Sequence, residues 1–170
     1  MRRNTLLKDV STVFLCGTMS YAKIFLHYVW ATKDRKQILL KPFRQKLFAH
    51  IRENAQVKGI HLDRINGYTN HVHCLVWLQP EQSYDKVAQL LKGESAHWYN
   101  NISGFKQSKL QWQSEYFVVS VSPSMIDKVR AYIDNQEIHH RKITFEEEYE
   151  KLIEHFLLIN ELQNKPIGIK

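Results

Sequence analysis

Short apolar runs rich in aromatic and β-branched residues alternate along the chain with amphipathic segments of helical period. Because such residues fit the pleated, half-buried surface of a sheet, four of these runs predict strands: YAKIFLHYVWAT (21–32), IHLDRING (60–67), HVHCLVWL (71–78) and EYFVVSVS (115–122). The turn-like segment NGYTN (66–70) joins the second run to the third. These two runs are therefore predicted to form a hairpin.

Two helices are predicted between these strands from apolar positions at helical spacing. In the segment 41–59, Pro42 suits the first turn of a helix and Gly59 suits its end. The segment 83–101 begins at Ser83, a residue type that caps helix N-termini. The first helix directly precedes the predicted hairpin and the second directly follows it. Both helices are therefore expected to pack on the sheet.

Two further helices are predicted after the last strand. Ser122 and Pro123 open the first of them, which extends to residue 140. Its buried stripe is predicted at Ile126, Val129 and Ile133. The last helix begins at Thr144, three residues before Glu147, which is the spacing of a capping box. Its core face is predicted at Phe145, Tyr149, Leu152 and Phe156.

The order of elements is strand, helix, hairpin, helix, strand, helix, helix. This order predicts an α+β domain with one largely antiparallel sheet and helices packed on it, similar to a ferredoxin-like or RNA-recognition-motif (RRM-like) fold. A chain of 170 residues with 44% hydrophobic content can bury one sizeable core and is short for two complete domains. We therefore predict one domain at residues 19–160, an N-terminal extension at 1–18 and a C-terminal tail at 161–170.

Charge and cysteine content narrow the class of protein. Lys and Arg number 24 against 17 Asp and Glu, so the formal net charge is +7, which favours partners that carry phosphate. The two cysteines, Cys16 and Cys74, make no disulfide framework, and no apolar run approaches the length of a membrane span. These features predict a cytoplasmic protein that does not enter a membrane.

Two histidines, His71 and His73, open the third predicted strand one residue apart. Side chains alternate faces along a strand, so both imidazoles point the same way, roughly 6.6 Å apart at about 3.3 Å per residue. Two imidazoles so placed can close on one divalent ion. Histidines in strands are more often hydrogen-bonded structural residues, so the pair alone does not decide between the two roles.

The third predicted helix adds a second polar set. Tyr132 and Gln136 are four residues apart and share a helical face beside the apolar stripe, with His139 about one turn further along. A solvated face would explain this row equally well in isolation. Together with the histidine pair, however, one Tyr on a helix of a small basic domain suits cleavage of DNA by tyrosine attack. A phenol with a pKa of about 10 is a poor nucleophile, and a metal ion is then needed to polarise the phosphate.

With these residues in view, the chain resembles the HUH single-tyrosine transposases of small bacterial insertion sequences. The matching stretches are HYVWATKDR, HVHCLVWL, WQSEYFVVSVS, VRAYIDNQEIHH and TFEEEY, in this order from about residue 21 to residue 156. The resemblance implies a transposase that cuts single-stranded DNA with hairpins near its ends. It also implies a 5′-phosphotyrosine intermediate, rejoining of strands without ATP, and a homodimer.

Carried over by position, the resemblance implies a role for four residues. His71 and His73 would be metal ligands, Gln136 would complete the metal site, and Tyr132 would be the nucleophile. The implied cofactor is a divalent cation, Mg²⁺ or Mn²⁺, which suits phosphate chemistry. One position departs from the family: Asn70 stands where many members have Asp before the first histidine, and an amide cannot offset the charge of the cation.

Basic residues are the expected contacts to DNA phosphates. We predict this role for Lys33, Arg35, Lys36 and Lys92. Two other functions remain open at this stage. One is a non-catalytic module that binds single-stranded nucleic acid on an RRM-like sheet, which would leave the histidine pair and Tyr132 as coincidence. The other is a domesticated relative that processes cellular hairpins.

Overall fold

The structure is a computed structural model that describes residues 22–102 and 109–163, with side chains described up to residue 154. Within these residues, strands β1 to β4 span Ile24–Ala31, His61–Gly67, His71–Leu78 and Phe117–Val121. Helices α1 to α5 span Lys41–Val57, Tyr84–Asn101, Ile126–Asp134, Gln136–His139 and Phe145–Gln163. Single 3₁₀ turns span Lys33–Arg35 and Pro123–Met125. The predicted extension at 1–18 lies outside the described residues, as does most of the predicted tail.

The four strands form one sheet in the order β2-β3-β1-β4, and every neighbouring pair is antiparallel. With α1 between β1 and β2 and α2 between β3 and β4, this is the order of a ferredoxin-like fold, so the predicted fold class is confirmed. β3 is central because it pairs with both β1 and β2. Side chains on β3 are therefore held from both sides.

One face of the sheet carries the main hydrophobic core. Tyr28, Trp30 and Cys74 project from β1 and β3 onto this face and pack against the apolar stripes of α1 and α2. Leu47 of α1 and Leu91 of α2 lie in the same buried cluster. The alternation of the strands sends the residues in between, including His71 and His73, to the opposite face.

Replacing Leu47 with Ala is expected to lower the free energy of unfolding by about 2–5 kcal/mol, because it opens a cavity in this core. Leu47 is fully buried, whereas Val57 at the end of the same helix is 85% exposed and provides a matched control. Val57→Ala should change the free energy by about 0.5 kcal/mol or less. Urea unfolding followed by circular dichroism measures both. Equal effects would contradict the placement of α1 on the sheet.

The second face of the sheet is covered by the C-terminal helices. Ile133 of α3 is buried against Phe25 and Leu75. Phe145, the first residue of α5, is buried against Val29 and Ala31. Both faces of the sheet are thus covered by helices, and the histidine pair lies under the second layer.

The hairpin between β2 and β3 depends on Gly67. A Cβ atom at this position would lie 2.2 Å from the carbonyl oxygen of His71. Since real Cβ atoms do not approach backbone that closely, only glycine fits without moving the strand. The predicted hairpin is confirmed, and its turn fixes the register at the first histidine.

The single helix predicted for residues 122–140 is wrong in one respect: the chain forms two helices there. α3 ends at Asp134, and Asn135 has φ −95° and ψ 16° before α4 begins at Gln136. The Asn135 side chain donates to the carbonyl oxygen of Ala131 at 2.7 Å, a local bond by which Asn competes with continued helix. Ile126, Val129 and Ile133 form the apolar stripe as predicted, with Ile133 fully buried.

The last helix begins as the capping box predicts. The Thr144 backbone N–H donates to Glu147 Oε2 at 2.7 Å, and the Glu147 backbone N–H donates to Thr144 Oγ1 at 3.2 Å. Phe145, Tyr149 and Leu152 form its predicted core face. The side chain of Phe156 lies outside the described residues. The capping box fixes the first turn of α5 where it meets the sheet.

Candidate functional site

The candidate site is built on His71 and His73, which are both fully buried on the second face of the sheet. His71 Nδ1 is 2.9 Å from Asn70 Oδ1, and His73 Nδ1 is 3.1 Å from His27 Nε2. Each ring is therefore held through Nδ1, and Nε2 of each ring faces a common space beneath α4 and α5. This is the arrangement found in metal-binding histidines, where a hydrogen bond on one nitrogen orients the other.

His27 is a buried histidine with a defined partner. It lies on β1, and its ring stacks on that of His73 with centroids 5.2 Å apart. Burial, with the nearby His73, lowers the pKa of His27 to about 3. His27 is thus neutral at ordinary pH, and it holds the His73 ring through Nδ1, on the side away from the site.

Gln136 enters the same space from the first residue of α4. Its side chain is fully buried, and its Oε1 lies 3.3 Å from His71 Nε2 and 3.1 Å from His140 Nε2. His140 in turn lies 3.1 Å, through Nδ1, from the carbonyl oxygen of Ile143. A carbonyl oxygen can only accept, so His140 Nδ1 carries a proton and Nε2 is the nitrogen that faces the site.

Glu148 of α5 enters the centre of the cluster and is almost fully buried. Its Oε2 lies 3.7 Å from His71 Nε2, 3.4 Å from His73 Nε2 and 3.3 Å from His140 Nε2. Its other oxygen, Oε1, accepts a hydrogen bond from the Tyr132 hydroxyl and lies 3.2 Å from His139 Nε2. One carboxylate therefore links three imidazoles to the tyrosine.

The electrostatics of the cluster follow from this burial. Burial alone would raise the pKa of the Glu148 carboxyl, but the imidazoles of His140 and His73 that face it, with the hydrogen bond from Tyr132, outweigh burial and hold the pKa below its ordinary value. Burial and the neighbouring His73 lower the pKa of His71 well below its ordinary value. The site thus combines an ionised carboxylate with a neutral imidazole whose lone pair is available.

These residues fit a divalent metal ion. One ligand atom each from His71, His73, His140 and Glu148 lie within 4.8 Å of one another. Among the described residues, His73 Nε2, His139 Nε2 and Glu148 Oε2 are buried without a hydrogen-bond partner. Unpaired polar atoms that lie close together in a buried space are costly, and a cation would satisfy those that present lone pairs. Imidazole and carboxylate ligands suit Mn²⁺ and related ions.

Tyr132 lies beside the cluster on the last turn of α3. Its ring meets that of His73 edge to face, with centroids 5.6 Å apart. Burial and the negative charge of Glu148 raise the pKa of its hydroxyl above the ordinary value. The phenol is therefore protonated, and its proton points at Glu148 Oε1.

The structure brings Tyr132, His71, His73 and Gln136 together, as the sequence predicts, but Glu148 and His140 were not among the predicted site residues. A signal for Glu148 was present, because it lies on the same face of α5 as the apolar Phe145 and Leu152. A carboxylate on the buried face of an amphipathic helix must have a partner.

The predicted DNA-binding residues lie outside this cluster. Arg35 Nη1 lies 3.4 Å from Glu146 Oε1, and Lys36 Nζ lies 3.5 Å from Asp34 Oδ2. Lys33 and Lys92 line one open groove beside α2. Lys92 differs from the others, because its side chain is buried and its ammonium group donates to the carbonyl oxygens of Ser114 and Glu115 at 2.8 and 3.3 Å.

Comparisons with known proteins agree with one another. A family model described as "Transposase IS200 like" matches residues 20–136. The ISDra2 transposase TnpA of Deinococcus radiodurans is 26% identical to the chain over 116 residues, which make up 65% of this chain and 81% of that protein.

Two solved structures resemble the fold. A crystal structure of a Deinococcus radiodurans R1 protein assigned as a transposase has a TM-score of 0.56 and 29% identity, and the match covers 71% of this chain and 95% of that one. A REP-associated tyrosine transposase bound to a REP hairpin has a TM-score of 0.53 and 16% identity over 73% of each chain. In the part of this chain that the structure describes, no helix is both long enough and apolar enough to span a membrane.

Proposed function

Because the chain belongs to the IS200-like transposase family, we propose that it is a metal-dependent single-strand DNA endonuclease and strand transferase. The observation that carries the proposal is the shared carboxylate: the Tyr132 hydroxyl donates to Glu148, which also faces His71 and His73. A nucleophile and a metal-binding cluster thus meet in one site. Residues 19–160 are the proposed catalytic domain.

His71, His73 and Gln136 are the proposed ligands of a divalent ion, Mg²⁺ or Mn²⁺. Such an ion would polarise the phosphate that is cut and offset its charge. Held through Asn70 and His27, the two imidazoles keep their Nε2 atoms fixed, so the site is organised before the substrate arrives.

Tyr132 Oη would attack the phosphorus of the scissile phosphodiester as its proton passes to the acceptor it already faces, Glu148 Oε1. The bond from phosphorus to the 3′ oxygen breaks, and that oxygen takes up a proton. The products are a 5′-phosphotyrosine and a free 3′-hydroxyl. Attack of another 3′-hydroxyl on the phosphotyrosine would restore Tyr132 and join the strands, because the linkage retains the energy of the ester.

Single-stranded DNA with hairpins is the proposed substrate, supported by the structural neighbour bound to a REP hairpin. We propose that Lys33, Arg35, Lys36 and Lys92 contact its phosphates; because Lys92 is bonded to backbone carbonyls, it would need to exchange those bonds for DNA. A homodimer in the cytoplasm, where the DNA of a bacterial insertion sequence is found, completes the proposal.

The alternative of a non-catalytic RRM-like module is less well supported. Such modules stack bases on an open face of the sheet. Here α1 and α2 cover one face, and α3 with α5 covers the other, over the described residues. The second face holds a buried polar cluster in place of exposed aromatic residues, which favours catalysis.

Incubation with single-stranded oligonucleotides labelled at the 3′ end, which stays on the protein after cleavage, tests the proposal. Each oligonucleotide in the pool should contain one hairpin flanked by randomised sequence. The incubation should contain Mg²⁺ or Mn²⁺. We expect a labelled protein band that survives a denaturing gel and is absent when EDTA is added. DNA binding without any covalent band in either metal would contradict the enzyme and support the binding module.

A further inference from the structure

We propose that Glu148 is the anionic ligand of the metal centre and that His140 is a further ligand, so that helix α5 completes the site. The inference rests on the metal site of the proposed function and extends its ligand set. It concerns two residues beyond the segment 20–136 that the family model matches, so the family match does not account for them.

The position of Glu148 Oε2 is the first argument. It lies between 3.3 and 3.7 Å from Nε2 of His71, His73 and His140, yet it has no hydrogen-bond partner among the described residues. The His140 ring is held through Nδ1 by the carbonyl oxygen of Ile143, so Nε2 is the nitrogen that faces Glu148. Three imidazole nitrogens and a carboxylate oxygen therefore face one another across a small buried space, an arrangement that a cation stabilises.

Charge is the second argument. None of the proposed ligands His71, His73 and Gln136 carries negative charge, and neither does Asn70, which holds the ring of His71. A divalent cation in a buried site needs negative charge nearby, because its desolvation is otherwise uncompensated. Among the described residues, Glu148 is the carboxylate in this cluster. It provides the charge that Asn70 cannot.

The rigid placement of α5 is the third argument. Phe145 stacks on His71 with ring centroids 4.3 Å apart and planes 10° apart, and the capping box at Thr144 fixes the first turn. Glu148 follows one turn later and so points into the cluster. Its two oxygens have different neighbours: Oε2 faces the imidazoles, and Oε1 accepts a hydrogen bond from the Tyr132 hydroxyl. The metal and the nucleophile would then be coupled through one side chain.

Isothermal titration of the full chain with Mn²⁺ tests the inference without any measurement of activity. Glu148→Gln keeps the shape of the side chain and removes its charge, and we expect the Kd for Mn²⁺ to rise by about tenfold or more, since the charge of the ligands sets affinity at such sites. Glu150→Gln is the matched control, because Glu150 is exposed on the same helix. Its Kd should stay within about threefold of the wild-type value.

A crystal of the wild-type chain soaked in Mn²⁺ provides a second test that does not depend on a variant. We expect the anomalous peak to have Glu148 Oε2 and His140 Nε2 among its inner ligands. An ion bound between His71 and His73 with the Glu148 carboxylate turned away would overturn the inference, as would an unchanged Kd in folded Glu148→Gln.

The two proposals fail in different ways. If wild-type protein binds Mn²⁺ through Glu148 but forms no covalent adduct with DNA, the ligand assignment stands and the transposase mechanism fails. If adducts form and Glu148→Gln binds Mn²⁺ as tightly as wild type, the mechanism stands and the ligand assignment fails.

Discussion

Replacing Tyr132 with Phe should abolish the covalent protein–DNA adduct and reduce strand cleavage by at least about a thousandfold, as the loss of a nucleophile does in other covalent enzymes. The change removes one oxygen and leaves the ring, which packs edge to face on His73. Binding of hairpin DNA should therefore stay within about threefold of wild type. Denaturing gels measure the adduct, and a mobility-shift titration measures binding.

Tyr149→Phe is the matched control for this variant. Tyr149 lies on α5 against Phe145, close to the same site, but among the described residues it is the Tyr132 hydroxyl and not that of Tyr149 that donates to Glu148. Its removal should leave the adduct intact. Adduct formation by Tyr132→Phe, or its loss in Tyr149→Phe alone, would reassign the nucleophile. Titration of Tyr132→Phe with Mn²⁺ checks that the free Glu148 Oε1 has not altered the metal site.

The parts of the site that depend on the repeat of a single strand or helix could be predicted from the sequence. The period of two along β3 places His71 and His73 on one face, and the structure has both there. The spacing of four residues places Tyr132 and Gln136 on one side even though the helix breaks at Asn135, because the break occurs after the tyrosine and is only one residue long. The order of elements likewise sufficed for the ferredoxin-like fold.

The parts that depend on docking between distant elements could not be predicted. The capping box and the apolar face of α5 were visible, but neither says which face of which sheet the helix meets. Glu148 becomes a member of the cluster only because Phe145 docks on His71. The partnership of His27 with His73 similarly depends on the register of β1 against β3, in which Val29 is opposite His73. Because α1 and β2 lie between β1 and β3 in the chain, no hairpin turn sets that register.

Lys92 shows the opposite case, where a residue type suggested a surface role and the fold placed it inside. A lysine on a helix is expected to reach solvent, and phosphate binding was the natural prediction. In the structure its ammonium group lies 5.3 Å from the centre of the Tyr116 ring and donates to two carbonyl oxygens. These two carbonyl oxygens compensate the ammonium group for the water that it loses on burial. The role in DNA binding stays a prediction.

Replacing His73 with Ala should stop DNA cleavage and weaken Mn²⁺ binding, because it removes a fully buried imidazole from the centre of the site. His73 Nε2 faces Glu148 Oε2, and its Nδ1 is held by His27, so the variant loses a proposed ligand and leaves His27 Nε2 buried without its hydrogen-bond partner. We expect cleavage to fall by at least about a hundredfold. Excess Mn²⁺ should restore little of the cleavage, since an ion bound without this ligand would not be held in the same position.

His97→Ala is the matched control, because His97 is exposed on α2 and its ring contacts Asn101 of the same helix. It should cleave as wild type does. Loss of cleavage in His73→Ala with unchanged Mn²⁺ binding would assign His73 to the support of the fold. Loss of both in a chain that remains folded by circular dichroism would show that the metal and the tyrosine act in one site, as the shared Glu148 carboxylate predicts.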